Sequence, residues 1–163
     1  MDRDEATALL AGGPQGIADW NGRRRQLELE EIPRLCEVDL AGAGLAGVEL
    51  GGMEMDDATL SGADLTGADL MRAVLRRADL TGAVLRGVDL REANMGDADL
   101  SRADLSGADL RYAILTGARL GGASVRGANL KLLRGLTQAQ LDATEGDADT
   151  RLPGTLTRPE GWK

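Results

Sequence analysis

The hydrophobic residues of the chain recur at a strict interval of five over residues 35–130. Between 40 and 130, the positions divisible by five carry Leu in sixteen of nineteen cases, and the exceptions are Met55, Met95 and Val125. The residue two places before each of these centres is Ala in most pentads. Five is neither the helical period of about 3.6 nor the strand period of about 2, so the pattern excludes an amphipathic helix and a long flat strand.

A chain that turns a corner once in every pentad accounts for this spacing. The centre and the residue two places before it then point inward together, while the other three residues form the corner and face water. Four corners close a coil of about twenty residues. The residue before each centre is most often Asp, as in Asp64, Asp79 and Asp99, and Gly often follows two places after it. These carboxylates are expected to accept backbone N–H groups at the corners rather than to act as acid/base pairs.

The segments "ADLTG", "ADLSG" and "ANLKL" resemble the repeats of the pentapeptide-repeat family, whose pattern is A(D/N)LXX. The resemblance covers residues 34–132 without an insertion. It implies a right-handed quadrilateral β-helix of about five coils, which at the usual inter-strand spacing is a rod roughly 24 Å long. The predicted fold class is therefore an all-β solenoid, with short α-helical caps at both ends.

Residues 1–33 are predicted to form an N-terminal helical cap. The stretch "RDEATALLAGG" indicates a short helix with an acidic start that ends at Gly12 and Gly13. A second helix is expected to begin near Pro14, with Ile17, Trp20 and Leu27 on its apolar side. Trp20 is interpreted as a plug over the first coil rather than as a binding residue.

Residues 133–163 are predicted to form a C-terminal capping helix and an extended tail. Thr137 and Gln140 have the spacing of a capping box, and Gly146 is expected to end the helix that follows. The apolar residues Leu152, Leu156 and Trp162 are expected to bring the tail back against the rod.

Composition excludes several kinds of chemistry. The chain has no His and a single Cys, which removes Ser-His-Asp catalysis, Cys-His catalysis and His-based or multi-Cys metal sites. A filled rod offers no cleft, so neither enzymatic activity nor a cofactor is predicted. The sequence contains no signal peptide and no apolar run of membrane-spanning length, which favours a cytoplasmic, bacterial protein without a membrane partner.

The charge pattern limits the class of partner. The formal net charge of −8 disfavours direct nucleic-acid binding. The best-known proteins that the repeat resembles confer quinolone resistance; they are dimeric and bind DNA gyrase by imitating duplex DNA. The charged positions of this chain give the four faces small net charges and no uniform acidic stripe. The predicted function is thus a non-catalytic scaffold that binds an unidentified protein, and a DNA-mimicking modulator of gyrase is the alternative.

A candidate interaction surface lies on the face centred on residues 50–130 and on its neighbour. An acidic column runs beside a basic column there, and the two are expected to neutralise each other. Apolar residues also point outward, and Val74 and Ile114 stand where Asp is usual. The C-terminal tail is expected to cover Val74 and Ile114, with a homodimer as the other option. The candidate surface comprises Met71, Val74, Tyr112, Ile114, Leu132, Asp69, Asp89, Asp109, Arg91 and Arg111.

Overall fold

The computed structural model describes residues 1–162, except for the side chain of Leu29. Over the repeat, parallel bridges join residues twenty apart and form four columns, which begin at Asp39, Gly44, Glu49 and Glu54. Each bridge is isolated and does not extend into a longer strand. A corner in every pentad leaves only one or two extended residues on each side of the coil, which explains the short pairing. The predicted solenoid is confirmed.

The inward assignment of the five-residue pattern is also confirmed. Every centre from Leu35 to Leu130 is at most 4% exposed. The residues two places earlier are buried as well, apart from Ala43. Each buried Leu contributes about 2 kcal/mol of transfer free energy, and Ala at the second inward position leaves room for the leucines of the opposite sides.

Backbone carbonyl oxygens satisfy four of the five backbone N–H groups in a pentad, three of them across neighbouring coils and one within the turn. In residues 79–83, the N–H of Leu80 donates to the Asp99 carbonyl oxygen at 2.8 Å, and that of Gly82 donates to the next coil in the same way. The N–H of Asp79 donates to the preceding coil at 2.9 Å. The N–H of Ala83 closes the turn on the Leu80 carbonyl at 3.0 Å. Only the first corner residue, here Thr81, finds no backbone acceptor in this scheme.

The side chain before the centre satisfies this fifth N–H group. The Oδ1 atom of Asp79 accepts the N–H of Thr81 at 2.9 Å. The same bond recurs in all ten pentads that carry Asp or Asn at this position, with acceptors Asp39, Asp64, Asp69, Asp79, Asp89, Asn94, Asp99, Asp104, Asp109 and Asn129. The interpretation of the repeated carboxylates as turn acceptors is therefore confirmed.

The second corner residue has a left-handed backbone throughout the repeat. Its φ angle lies between +57° and +73° at all twenty corners from Glu37 to Leu132. A β-turn of this kind favours glycine at its third residue, and eleven of these corners are glycine. The other nine carry side chains: Glu37, Asp57, Arg72, Arg77, Glu92, Asp97, Arg102, Tyr112 and Leu132.

The N-terminal segment contains two α-helices, α1 (Arg3–Ala11) and α2 (Gly13–Arg24), and a 3₁₀-helix (Leu29–Glu31) that the sequence did not predict. Trp20 is fully buried, and its indole Nε1 donates to the Glu49 carbonyl oxygen at 2.8 Å. Asn21 accepts the N–H of Glu49 at 2.9 Å. Side chains of α2 thus take the place of a preceding coil on this side, as expected of Trp20 from the sequence.

The C-terminal segment begins with helix α3 (Gln138–Asp142), and its predicted capping box is confirmed by reciprocal bonds between Thr137 and Gln140. The expectation that Gly146 ends this helix was wrong, because the C-cap is Ala143. The chain must leave the helix early because Glu145 already pairs with Ser124 as an extended residue of the next coil. Lys163, the last residue of the predicted segment, lies outside the described residues.

Leu152, Leu156 and Trp162 pack against the core as expected, but the path of the tail differs from the one expected over Val74 and Ile114. The Arg158 guanidinium donates to the carbonyl oxygens of 147, 148 and 150, and the Trp162 indole donates to the Thr144 carbonyl at 3.2 Å. Thr157 bonds to Gln138 on α3. These backbone acceptors lie at the end of the rod, so the tail folds over that end instead of running back towards Val74 and Ile114.

Replacing Asp79 tests the fifth backbone bond. Asp79→Ala is expected to lower the free energy of unfolding by about 1 kcal/mol, because the partly buried N–H of Thr81 loses its acceptor. Asp79→Asn is the matched control and should be nearly neutral, since Asn94 and Asn129 already perform this role. Urea unfolding measures both variants, and an alanine variant as stable as the asparagine variant would contradict the assignment.

Candidate functional site

The charged columns of the candidate surface neutralise each other within single turns. The Arg91 guanidinium Nη2 lies 2.6 Å from the Asp89 Oδ2 atom, and the Arg111 Nη2 lies 2.7 Å from the Asp109 Oδ2 atom. Both arginines also donate through Nε to the same carboxylate. The expected neutralisation is confirmed for these two pairs. Asp69 differs, because within residues 1–162 it forms no ion pair and accepts only the N–H of Met71, at 2.9 Å.

These contacts keep the two carboxylates ionised. The hydrogen bond from Arg91 holds the pKa of Asp89 below its usual range, and that from Arg111 does the same for the pKa of Asp109. The guanidinium pKa of each arginine rises for the same reason. Carboxylates fixed in this state accept hydrogen bonds and are unsuited to proton transfer near neutral pH.

The apolar members of the candidate surface fall into separate places. Tyr112 and Leu132 are 49% and 58% exposed and are the large exposed hydrophobic residues of the described chain. They occupy the same corner in successive coils, between the paired columns Asp109–Asn129 and Ile114–Arg134. Ile114 is half-buried and lies two residues beyond Tyr112. We call Tyr112, Ile114 and Leu132 the Tyr112 corner.

Val74 and Met71 do not join this group. Val74 belongs to the same column as Ile114 but lies two coils away, with Asn94 between them. Met71 is half-buried and lies two coils before Arg111, next to Arg72 in the same column of corners. The structure therefore brings together only three of the five apolar residues predicted from the sequence.

The backbone at the Tyr112 corner is strained for the residues it carries. Tyr112 has a φ of 62° and Leu132 a φ of 60°. The left-handed conformation costs a non-glycine residue about 1 kcal/mol. In two earlier coils the same corner carries Arg72 and Glu92, whose side chains form an ion pair with 2.9 Å between Nε and Oε2. Tyr112 and Leu132 expose about half of their surface instead.

Two further basic residues lie beside this corner: Lys131, which ends the basic column expected from the sequence, and Arg134, which was not predicted. Lys131 precedes Leu132, and Arg134 continues the column of Ile114 through a parallel bridge. Both are exposed, and neither forms an ion pair within residues 1–162. Extending the five-residue count by one pentad beyond 130 would have identified Arg134, which is the residue before position 135.

The stacked bridges, buried centres and corner turns define a repeat solenoid. The sequence pattern of the family described as pentapeptide repeats matches residues 34–70, 68–107 and 93–131, in eight copies. The chain belongs to the pentapeptide-repeat family.

Solved structures of other members are similar to this chain. The pentapeptide-repeat protein alr5209 from Nostoc PCC 7120 is 31% identical over 76% of this chain and 78% of its own, with a TM-score of 0.46. A trypsin-treated variant of QnrB1, a plasmid-mediated fluoroquinolone resistance protein, is 19% identical with a TM-score of 0.65. That match covers 76% of this chain but only 61% of the QnrB1 chain, and it shows a common fold.

A search among curated proteins found no match. No helix in residues 1–162 is long and apolar enough to cross a membrane.

The paired carboxylates predict how stability depends on pH. Because the folded pKa values of Asp89 and Asp109 are lowered, their contribution is complete above the unfolded pKa of about 4 and disappears as pH falls through the lower folded values. The melting temperature should therefore be steady from neutral pH to about 5 and fall below about 4. The double variant Asp89→Asn/Asp109→Asn should show a shallower fall. An identical acid limb in both proteins would contradict this origin.

Proposed function

We propose that this chain is a non-catalytic scaffold that holds another protein at the Tyr112 corner. The observation that carries the proposal is that two large apolar side chains are exposed at positions whose backbone favours glycine. A solenoid that served only as a stable rod would gain from glycine there, since these side chains add little to its core. Their retention is best explained by a contact with a partner.

The distribution of side chains over the corners supports a one-sided interaction. Eight of the nine non-glycine corner residues lie on the two corners that flank the face centred on residues 35–115. One corner carries Arg72, Glu92, Tyr112 and Leu132, and the other carries Glu37, Asp57, Arg77 and Asp97. By contrast, the corner between the faces centred on 45–125 and 50–130 is glycine in every coil, at Gly47, Gly67, Gly87, Gly107 and Gly127. The side of the rod that contains Tyr112 therefore carries the projecting corner side chains that specific recognition requires.

The absence of a catalytic role is supported by what the carboxylates do. The ten Asp and Asn side chains before the centres accept turn N–H groups, and several also pair with arginines. Side chains used in this way maintain the fold.

The finer architecture is part of the proposal. We expect a right-handed, four-sided β-helix of about five coils over residues 34–132, with residues 1–33 and 133–163 closing its two ends. The twenty-residue register of the bridges and the contacts of Trp20 and Gln140 with the outer coils support this arrangement.

Modulation of DNA gyrase is the alternative function. The common fold with QnrB1, which is described as a fluoroquinolone resistance protein, is compatible with it. A DNA mimic requires rows of uncompensated acids, yet the ten ion pairs within residues 1–162 occupy acids that include Glu49, Asp57, Asp89, Glu92 and Asp109. A gyrase supercoiling assay with the purified protein tests this alternative. Inhibition of supercoiling when protein and gyrase are present in stoichiometric amounts would favour gyrase modulation over a scaffold that binds through the Tyr112 corner.

Capture of partners by a glycine variant tests the scaffold. Tyr112→Gly/Leu132→Gly removes both exposed side chains and leaves a residue that already occupies eleven equivalent corners. Immobilised wild-type protein and this variant are compared on lysate of the source cells, with bound proteins quantified by mass spectrometry. We expect at least one specific protein to be reduced about tenfold or more with the variant, equivalent to about 1.4 kcal/mol of binding free energy.

Arg102→Gly is the matched control. Arg102 has the same left-handed backbone, with a φ of 60°, but belongs to another corner. It should retain the partner at the wild-type level. A set of captured proteins that is the same for wild type, control and the Tyr112/Leu132 variant would overturn the proposed function.

A further inference from the structure

We infer that the Tyr112 corner binds an acidic segment of its partner, in which apolar side chains are flanked by carboxylates. This inference rests on the proposed scaffold function and adds the chemical class of the bound segment. The apolar surface of Tyr112, Ile114 and Leu132 supplies the contact area, and unpaired cations beside it supply the charge preference.

Three cations at this end of the rod form no ion pair within residues 1–162. Ten of the arginines in residues 1–162 form ion pairs. Lys131, Arg134 and Arg151 are not among them, and all three are exposed. Lys131 and Arg134 bracket Leu132 in the chain, and Arg151 is bridged to Asn129, two residues before Lys131. A protein with a formal net charge of −8 thus concentrates unpaired positive charge around its most exposed leucine.

In the two columns that flank the Tyr112 corner, negative charge decreases towards this end. The column that begins with Glu49 continues as Asp69, Asp89 and Asp109, and then changes to Asn129 and Arg151. The neighbouring column changes from Glu54 through Val74, Asn94 and Ile114 to Arg134. Asp109 and Glu92, the last acids of these coils on the Tyr112 side, are already paired with Arg111 and Arg72. Asp149 of the C-terminal segment lines the same groove as Lys131 and Arg151. A carboxylate brought to Lys131 or Arg134 therefore meets little competition from these two paired acids.

The size of the cationic area favours a short protein segment over a larger polyanion. Screening limits the reach of exposed charges to about 8 Å at physiological ionic strength. A short segment on the Tyr112 corner is therefore influenced mainly by Lys131 and Arg134. A membrane surface or a nucleic-acid duplex would also approach the acidic remainder of the rod, whose charge opposes binding.

Binding of a designed peptide tests the inference. The probe is a fluorescein-labelled helical peptide with Leu and Trp on one face and Glu beside them, and a peptide with Lys in place of every Glu is its counterpart. Fluorescence anisotropy should give a micromolar Kd for the acidic peptide and much weaker binding for the basic one. NMR chemical-shift changes should be confined to residues near 111–116 and 131–134. Increasing salt should weaken the complex.

Charge-reversal variants locate the interaction. Lys131→Glu/Arg134→Glu should weaken binding of the acidic peptide by about tenfold or more, because each cation contributes a charge-assisted contact. Arg76→Glu/Arg102→Glu changes two other exposed arginines that form no ion pair within residues 1–162, and it should leave the Kd unchanged. Circular dichroism and melting curves establish that both variants are folded.

Several outcomes would overturn the inference. They are equal binding of both peptides, shift changes away from the Tyr112 corner, an unchanged Kd for Lys131→Glu/Arg134→Glu, and binding to phosphatidylglycerol vesicles or duplex DNA without peptide binding. Self-association of the protein that Tyr112→Gly abolishes would assign the corner to a second copy and would also overturn it. If the glycine variant still loses its captured partner while the acidic peptide does not bind, only the chemical class is wrong and the scaffold function stands.

Discussion

Pairing of backbone N–H groups between stacked coils is the constraint on which this fold depends. A chain that turns every five residues cannot form long strands, so each pentad must pair its backbone with the coils on either side. The register of twenty residues provides three of the five bonds and the turn itself a fourth, and in ten pentads an Asp or Asn side chain before the centre provides the fifth. The small Ala and long Leu inside the coil follow from the narrow space that this close stacking leaves.

At the corners, the backbone conformation that the fold requires can be distinguished from the side chains that only the surface uses. A left-handed residue is required at every corner, and glycine satisfies that requirement without strain. Where a side chain appears there, the coil loses a little stability and the surface gains a group at a defined position. Arg77 uses its position for an ion pair with Asp57, whereas Tyr112 and Leu132 offer apolar surface to solvent. Residues that the fold does not require are the best candidates for function.

The sequence predicted the periodic parts of the structure well. The inward centres and the turn carboxylates repeat many times, so the register places each of them, and it also places Tyr112 and Leu132 outward. The non-repeating parts were less predictable. The end of α3 depends on the pairing of Glu145 with Ser124, and the path of the tail depends on bonds from Arg158 and Trp162 to backbone carbonyls, none of which a local pattern contains. Arg134 was missed because the repeat was counted only to residue 132.

The central claim is that Tyr112 and Leu132 serve binding rather than folding, and the free energy of unfolding tests it most directly. Denaturant unfolding should show that Tyr112→Gly/Leu132→Gly is at least as stable as the wild-type protein, since glycine relieves left-handed strain at both corners. Gly87→Ala is the reference, because open space surrounds its Cβ position and only the backbone strain, about 1 kcal/mol, should be lost. A double variant that is less stable than the wild type by a similar amount would show that the two side chains belong to the fold and would contradict the account.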